Sequence, residues 1–437
     1  MLERMYAAAV AGSMPGHATA AGVRALPALP PVTPFRIIAL GKAAHAMATA
    51  AVATLAERGH EVAGGVVIAP EGSRAPHPAL AAAAGDHPVP GARSFAAADE
   101  LGRAVGAVRP GEEVLVLLSG GASSLVAAPV DGVETEELAW LYRTLLGSGA
   151  DIATMNGVRK RFARWSAGRL ALALYPAPVH CLVVSDVLGD DLAAIASGPC
   201  VPDPLTSVEV VSRLCDLGLW AELPESFRHL LAGVATGRLP ETPKPGDAAF
   251  ERVHSSVIVG NAAAVRAAAH HARSLGVTGV RVEGEPVVGE AAECGRRMAQ
   301  ALLDDAAHAG DGPCCVVWGG EPTVTLGAAA LHDAQGGRMQ ELALAAARLL
   351  DEAGIAAARV TLLAAGTDGR DGPTDAAGAV VDGTTWGAAR AAGRDPADDL
   401  ARHRSYAALD AAGALLRPGL TGTNVMDVVV GYVAPRG

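Results

Sequence analysis

The chain has 437 residues, half of them apolar, which is more than one hydrophobic core usually serves, so two globular domains are expected and disorder is not. A formal net charge of -11 argues against nucleic-acid binding, which rests on clustered Lys and Arg, but leaves a small anionic ligand open. Aromatic residues make up only 3%, so cores of small aliphatic side chains and close helix-to-sheet packing are expected. The six cysteines form no CxxC pair, which suits a reducing compartment and a cytoplasmic location. The apolar stretch near the N-terminus is broken by Gly and Pro and reads as an amphipathic helix, and no run approaches a membrane span.

The first strand signal is FRIIAL (35–40), which runs into an Ala-rich helical stretch ended by Gly59. Similar apolar runs return as GGVVIAP (64–70), EVLVLL (113–118), CLVVS (181–185) and SSVIVGN (255–261), with helical segments between them. Buried strands alternating with helices predict a mostly parallel sheet covered on both faces, which binds ligands beyond the carboxyl ends of its strands. PETPKPGD (240–247) is the most linker-like segment, so the expected domains are 1–245 and 246–437. The second should be an α/β unit with strands at CCVVWGG (314–320), PTVTL (322–326), RVTLLAAG (359–366) and VMDVVVGYV (425–433).

The unusual polar residues fall at strand ends. Gly41-Lys42 follows the first strand, where a lysine beginning a helix meets amides that favour anions, although no Walker A pattern surrounds it and, taken alone, a plain surface lysine is the readier reading. Ser119-Gly120-Gly121-Ala122-Ser123 either admits a phosphate to free amides or makes a tight crossover. Arg159, Lys160 and Arg161 form either a solvated basic face or a neutraliser of triphosphate charge. Asp186, Asp190 and Asp191 crowd one strand terminus, a pattern open to helix capping or to Mg²⁺, which takes one or two carboxylates plus substrate phosphates. Later come Glu321, then Arg338 with its guanidinium fork, and Asp368, Asp371 and Asp375 in a turn-rich loop whose spacing does not match an EF-hand. No G-x-G-x-x-G occurs, so a nicotinamide fingerprint is missing.

Taken in order, GKAAHAM (41–47), LLSGGASSL (117–125), MNGVRKRF (155–162), SDVLGDDLAAIASGPCVPDP (185–204), VGN (259–261), GGEPTVTL (319–326), GGRMQEL (336–342), GTDGRDGPTDAAGA (366–379) and TGTNVMD (421–427) resemble the glycerate 2-kinase family. The resemblance covers nearly the whole chain. It implies a Rossmann-like three-layer αβα domain and a smaller α/β MOFRL domain (about 312–432) with a cleft between them. It implies transfer of the γ-phosphoryl group of ATP to the 2-hydroxyl of D-glycerate with Mg²⁺, the partners being ATP and a small hydroxy acid, with a homo-oligomer left open.

The resemblance further implies that Lys42 and Arg338 stabilise the transferring group or orient the substrate carboxylate. Asp186 and Asp190 would coordinate Mg²⁺ or activate the hydroxyl, with Asp191 next in line. Ser119, Gly120, Gly121 and Ser123 would cradle the acid or the phosphates, Arg159 and Lys160 would neutralise charge, and Asn261, Glu321, Asp368 and Asp371 would line the cleft. Ala122, Ala163, Ser166, Trp318 and Met339 depart from the family pattern, which suggests an acceptor pocket altered for another hydroxy acid. A noncatalytic binding protein and a hydroxypyruvate reductase are the remaining alternatives.

Overall fold

In the computed structural model, residues 1–72, 74–150, 152–308, 312–326 and 333–436 are described. They form two compact units, one of residues 15–258 and one that joins 1–14 to 259–437. The proline-rich stretch 240–247 lies inside the first unit, and the N-terminal helix Leu2–Gly12 belongs to the second.

The first unit is built on β1 (Pro34–Leu40), β2 (Glu61–Ala69), β3 (Leu80–Ala84), β4 (Glu113–Leu118), β5 (Val179–Val184) and β6 (Val253–Val259), in the order β3-β2-β1-β4-β5-β6. The pairings of β1 with β2 and β4, of β2 with β3 and of β4 with β5 are parallel. This is the doubly wound order of dinucleotide-binding folds, and the direction of winding reverses between β1 and β4. Alternate residues Ile38, Leu40, Val66, Val114 and Val116 share one core with Ala97, Ala98 and Leu101 of the helix Ala92–Gly106. Their neighbours Ile37, Ala39, Leu115 and Leu117 are equally buried, and the helix Ala44–Glu57 packs on β1, β2 and β4. Burial on both faces explains the unbroken apolar runs of these strands. A separate helical core includes Phe162 and Phe227, whose rings meet edge to face at 4.3 Å.

The second unit carries β7 (Gly279–Val282), β8 (Cys314–Gly320), β9 (Val360–Gly366), β10 (Gly378–Asp382), β11 (Leu415–Leu416) and β12 (Asp427–Val433), in the order β11-β10-β9-β12-β8-β7. Here β7 and β8 are parallel and the other pairings are antiparallel. The expected strand at 322–326 is reduced to one bridge, Glu290 to Thr323, because Pro322 cannot donate to a ladder. Conversely, the Ala-rich β3 pairs with β2 although its composition favours a helix, a case of tertiary pairing overriding propensity. The helices Ala291–His308 and Arg338–Ala353 cover the sheet around a core that includes Leu302, Met339, Leu342 and Val429. Among the described residues no helix is long and apolar enough to cross a membrane.

One buried ion pair ties the sheet of the first unit together. Arg36 on β1 donates to Glu112 through Nε at 2.8 Å and Nη2 at 3.1 Å, with both side chains under a tenth exposed. Removing one partner strands the other charge, so Glu112→Ala should lose about 3–5 kcal/mol in urea unfolding, whereas Arg36→Met with Glu112→Leu should lose clearly less.

Candidate active site

At the switch point the loops leaving β1 and β4 are laced together. Ser119 N–H donates to Leu40 O at 3.0 Å, Lys42 N–H donates to Gly120 O at 3.0 Å, and Ala43 N–H donates to Ser119 Oγ at 3.0 Å. The exposed Lys42 side chain therefore lies over the glycine loop: a Cβ on Gly121 (φ +84°) would stand 3.3 Å from Lys42 Cε and 3.4 Å from His87 Nδ1 and Cε1. A Cβ on Gly120 would fall 1.8 Å from an Asp186 carboxylate oxygen, so this carboxylate just beyond β5 rests against the loop's backbone. Lys42, Asp186 and His87 thus surround Gly120 and Gly121: a side chain on Gly120 would push the Asp186 carboxylate aside, and one on Gly121 would be strained at its positive φ.

Ser123 Oγ meets Ser197 Oγ at 2.8 Å, while Tyr142 donates its hydroxyl to Ser123 O at 3.1 Å. The buried Arg159 guanidinium stacks 4.7 Å from the centroid of the Tyr142 ring, its Nε without a hydrogen-bond partner, and burial lowers its pKa. Lys160 is differently engaged, in a buried ion pair with Asp203 at 2.8 Å. Burial pushes the Asp203 carboxyl up, but Lys160, Thr242 and Arg161 outweigh it and hold it below the usual range. Asp190 sits in a tight turn at φ +55°, and Asp191 caps the following turn by accepting from Ala193 N–H at 2.9 Å.

In the second unit a cavity of about 410 Å³ is lined by Arg338, Arg370, Asp368, Asp371, Asn424 and Asp427, with Gly337 and Gly372. Arg338 opens the helix Arg338–Ala353 and is gripped from two sides: Nε and Nη2 donate to Asp427 at 2.6 and 3.3 Å, and Nη1 donates to Glu321 at 2.7 Å. Asp371 binds the amides of Met339 and Gln340 at 3.1 and 2.7 Å, capping the helix that carries the arginine. Burial pushes Asp371 up to about 6 against the pull of those amides, and Asp427 up to about 7 against the pull of Arg338. Asp368 accepts from Arg370 N–H at 2.9 Å. Asn261 works as a staple, its amide donating to Val425 O at 2.8 Å and Asp427 O at 2.9 Å, so it holds the backbone from which Asp427 reaches Arg338.

Asp427, His87 and Ser197 were not among the expected site residues. Asp427 had a signal, an acid heading the apolar run VVVGYV, but a lone histidine in HPVP has none. The five residues that depart from the family pattern are all buried. Met339 is wholly buried and Trp318 nearly so in the second core, while Ala122, Ala163 and Ser166 are buried in the first unit. Met339 and Trp318 thus pack inward and do not line the Arg338 cavity, so they lend no support to an altered acceptor pocket.

Removing Arg338 leaves Asp427 buried without its cation, which raises its folded pKa further above that of the unfolded chain. Between those two values the folded protein binds more protons, so stability falls as pH rises. In urea unfolding, Arg338→Met should accordingly lose about 1–3 kcal/mol more, relative to the parent, at about pH 8 than at about pH 5.5.

Residues 1–232 match the model of a domain of unknown function, DUF4147, and residues 314–427 match the MOFRL family. D-glycerate 2-kinase of Thermotoga maritima is 38% identical over 91% of this chain and 90% of its own length. An Agrobacterium vitis protein provisionally named a hydroxypyruvate reductase is 36% identical over 98% of this chain and 93% of its own. The crystal structure of glycerate kinase from Thermotoga maritima superposes with a TM-score of 0.84 at 35% identity, covering 99% of this chain and 98% of that one. With these matches spanning both units, the chain belongs to the glycerate 2-kinase family.

Proposed function

We propose that this chain is an ATP-dependent kinase that transfers the γ-phosphoryl group to the 2-hydroxyl of D-glycerate, giving 2-phosphoglycerate. The observation that carries the reading is the glycine loop at the switch point, with Lys42 and the Asp186 carboxylate on either side of Gly120 and Gly121. Phosphoryl transfer asks a protein chiefly for positioning and charge neutralisation, and a loop of small residues beside an exposed lysine offers both. Ser119, Gly120, Gly121 and Ser123 cradle phosphate or acid, and Lys42 stabilises the transferring group. Arg159, a buried cation with no carboxylate among its described contacts, is the better placed of the two basic-helix candidates, since Lys160 is already neutralised by Asp203. Arg338 offers a guanidinium held in one orientation by Asp427 and Glu321, with Asp368 and Asp371 beside it.

Among the described residues no group of three or more His, Cys, Asp or Glu is arranged to hold a metal by itself. Mg²⁺ on a nucleotide needs less, one or two carboxylates with the phosphates supplying the rest, and Asp186, which rests against Gly120, would supply one, with Asp190 as the second candidate. The ion would neutralise phosphate charge. All six cysteines are free thiols, which supports the cytoplasmic reading. A reductase activity, to which the name of the Agrobacterium vitis relative points, is disfavoured because the chain lacks the glycine fingerprint that brings a dinucleotide to this fold.

The test is ADP release with Mg-ATP across D-glycerate, L-glycerate, hydroxypyruvate, tartronate and longer hydroxy acids, with the product position fixed by phosphorus NMR. D-glycerate phosphorylated at the 2-hydroxyl is the expected result; turnover of another acid alone, or NADH oxidation with hydroxypyruvate, would overturn it. Lys42→Met should lower kcat about 10²–10³-fold, as loss of one electrostatic stabiliser does, without changing the thermal unfolding midpoint.

A further inference from the structure

The loop that precedes the helix Ala92–Gly106 brings His87 to the glycine loop, and no role has yet been given to it. Its Nδ1 lies 2.7 Å from Ser124 Oγ, and the same Oγ lies 3.1 Å from Gly121 O. The residue is partly open to solvent, and among the described residues its Nε2 makes no hydrogen bond. A serine hydroxyl has one proton, and a carbonyl can only accept. With that proton directed to Gly121 O, Ser124 Oγ accepts from His87 Nδ1–H, and Nε2 is left with its lone pair able to accept.

The geometry points to His87 as a further catalytic residue of the proposed kinase: its Nε2 receives the hydrogen bond of the acceptor's hydroxyl beside Lys42, with Ser124 as the residue that positions the ring. The inference rests on the kinase reading. The hydroxyl oxygen forms a bond to the γ-phosphorus, the bond from that phosphorus to the β,γ-bridging oxygen breaks, and ADP leaves with the electron pair. The hydroxyl proton passes to Nε2 and from there to solvent.

Two features of the surroundings suit this role. Desolvation of the ring's inner edge, and after it the Lys42 ammonium, push the His87 pKa down to about 4, so the ring is neutral and able to accept at neutral pH. A phosphate anion bound against Lys42 would cancel the lysine's share of that depression, so the imidazole becomes a stronger base when the nucleotide is in place. A neutral ring also adds no second cation to repel Lys42 while the site is empty.

Three variants and one spectroscopic measurement test the assignment, with D-glycerate turnover by the parent protein measured alongside. His87→Asn keeps a donor for Ser124 but has no acceptor at the Nε2 position, and should lower kcat about 10²-fold while leaving KM for Mg-ATP nearly unchanged. His87→Gln restores an acceptor oxygen near that position and should recover part of the loss. Ser124→Ala frees the ring and should fall between the two. In ¹⁵N-detected NMR of the parent, the His87 ring should carry its proton on Nδ1. A proton on Nε2, or a His87→Asn enzyme with the kcat of the parent, would overturn the assignment and leave the kinase reading standing. A parent protein that phosphorylates none of the acceptors would remove both.

Discussion

The first unit depends on the parallel pairing of β1 with β4, because this pairing sets two functional loops side by side. Neighbouring strands lie about 4.8 Å apart, so residues just past their carboxyl ends are within hydrogen-bond reach whatever their separation in sequence. Lys42 and Ser119 are brought together this way, and the backbone bonds between Leu40, Lys42, Ser119 and Gly120 prevent the loops from separating. Once they are joined, the space over Gly120 and Gly121 is narrow, and Asp186, Lys42 and His87 fill its margins. A side chain at Gly120 would displace the Asp186 carboxylate.

The second unit solves a different problem, that of holding one arginine still. A guanidinium on a long side chain loses considerable rotamer entropy when it is fixed, and two carboxylates bind it from separate elements, Asp427 from β12 and Glu321 from the loop after β8. The support extends backwards: Asn261 staples the chain at Asp427, and Asp371 caps the helix that begins at Arg338. The N-terminal helix joins in, since Tyr6 donates to Gly366 O at 2.7 Å and Ser13 O accepts from Thr423 at 2.7 Å, which ties down both loops that bear acids. Desolvation raises the carboxyls of Asp371 and Asp427, so this arrangement is stable only while the arginine stays in place.

The residues that depart from the family pattern carry a lesson about motifs. A methionine in GGRMQE looks like a lost ligand contact when the loop is imagined as a row of side chains around a substrate. In the folded chain the residue after Arg338 faces the core of its helix, so Met339 packs against apolar neighbours while its amide binds Asp371. The periodicity of the helix decides the matter, since consecutive residues point about 100° apart and cannot both face the cavity. Lys160 is a similar case, a cation that the sequence groups with Arg159 but that the fold directs to Asp203.

The sequence by itself determined the strand-and-helix alternation of both units, the parallel sheet of the first, the placement of polar motifs at strand ends and the family. These are legible because apolar runs, glycine turns and long ordered motifs are local patterns along the chain. It did not reveal that the strands of the second unit pair mostly antiparallel, that the Ala-rich segment Leu80–Ala84 is a strand, or that the N-terminal helix joins the second unit. Nor could it show that Asp427 holds Arg338 or that His87 stands beside Lys42. Those facts depend on contacts between residues far apart in sequence, and such contacts are chosen by which surfaces can be buried together, a choice made only when the whole chain has folded.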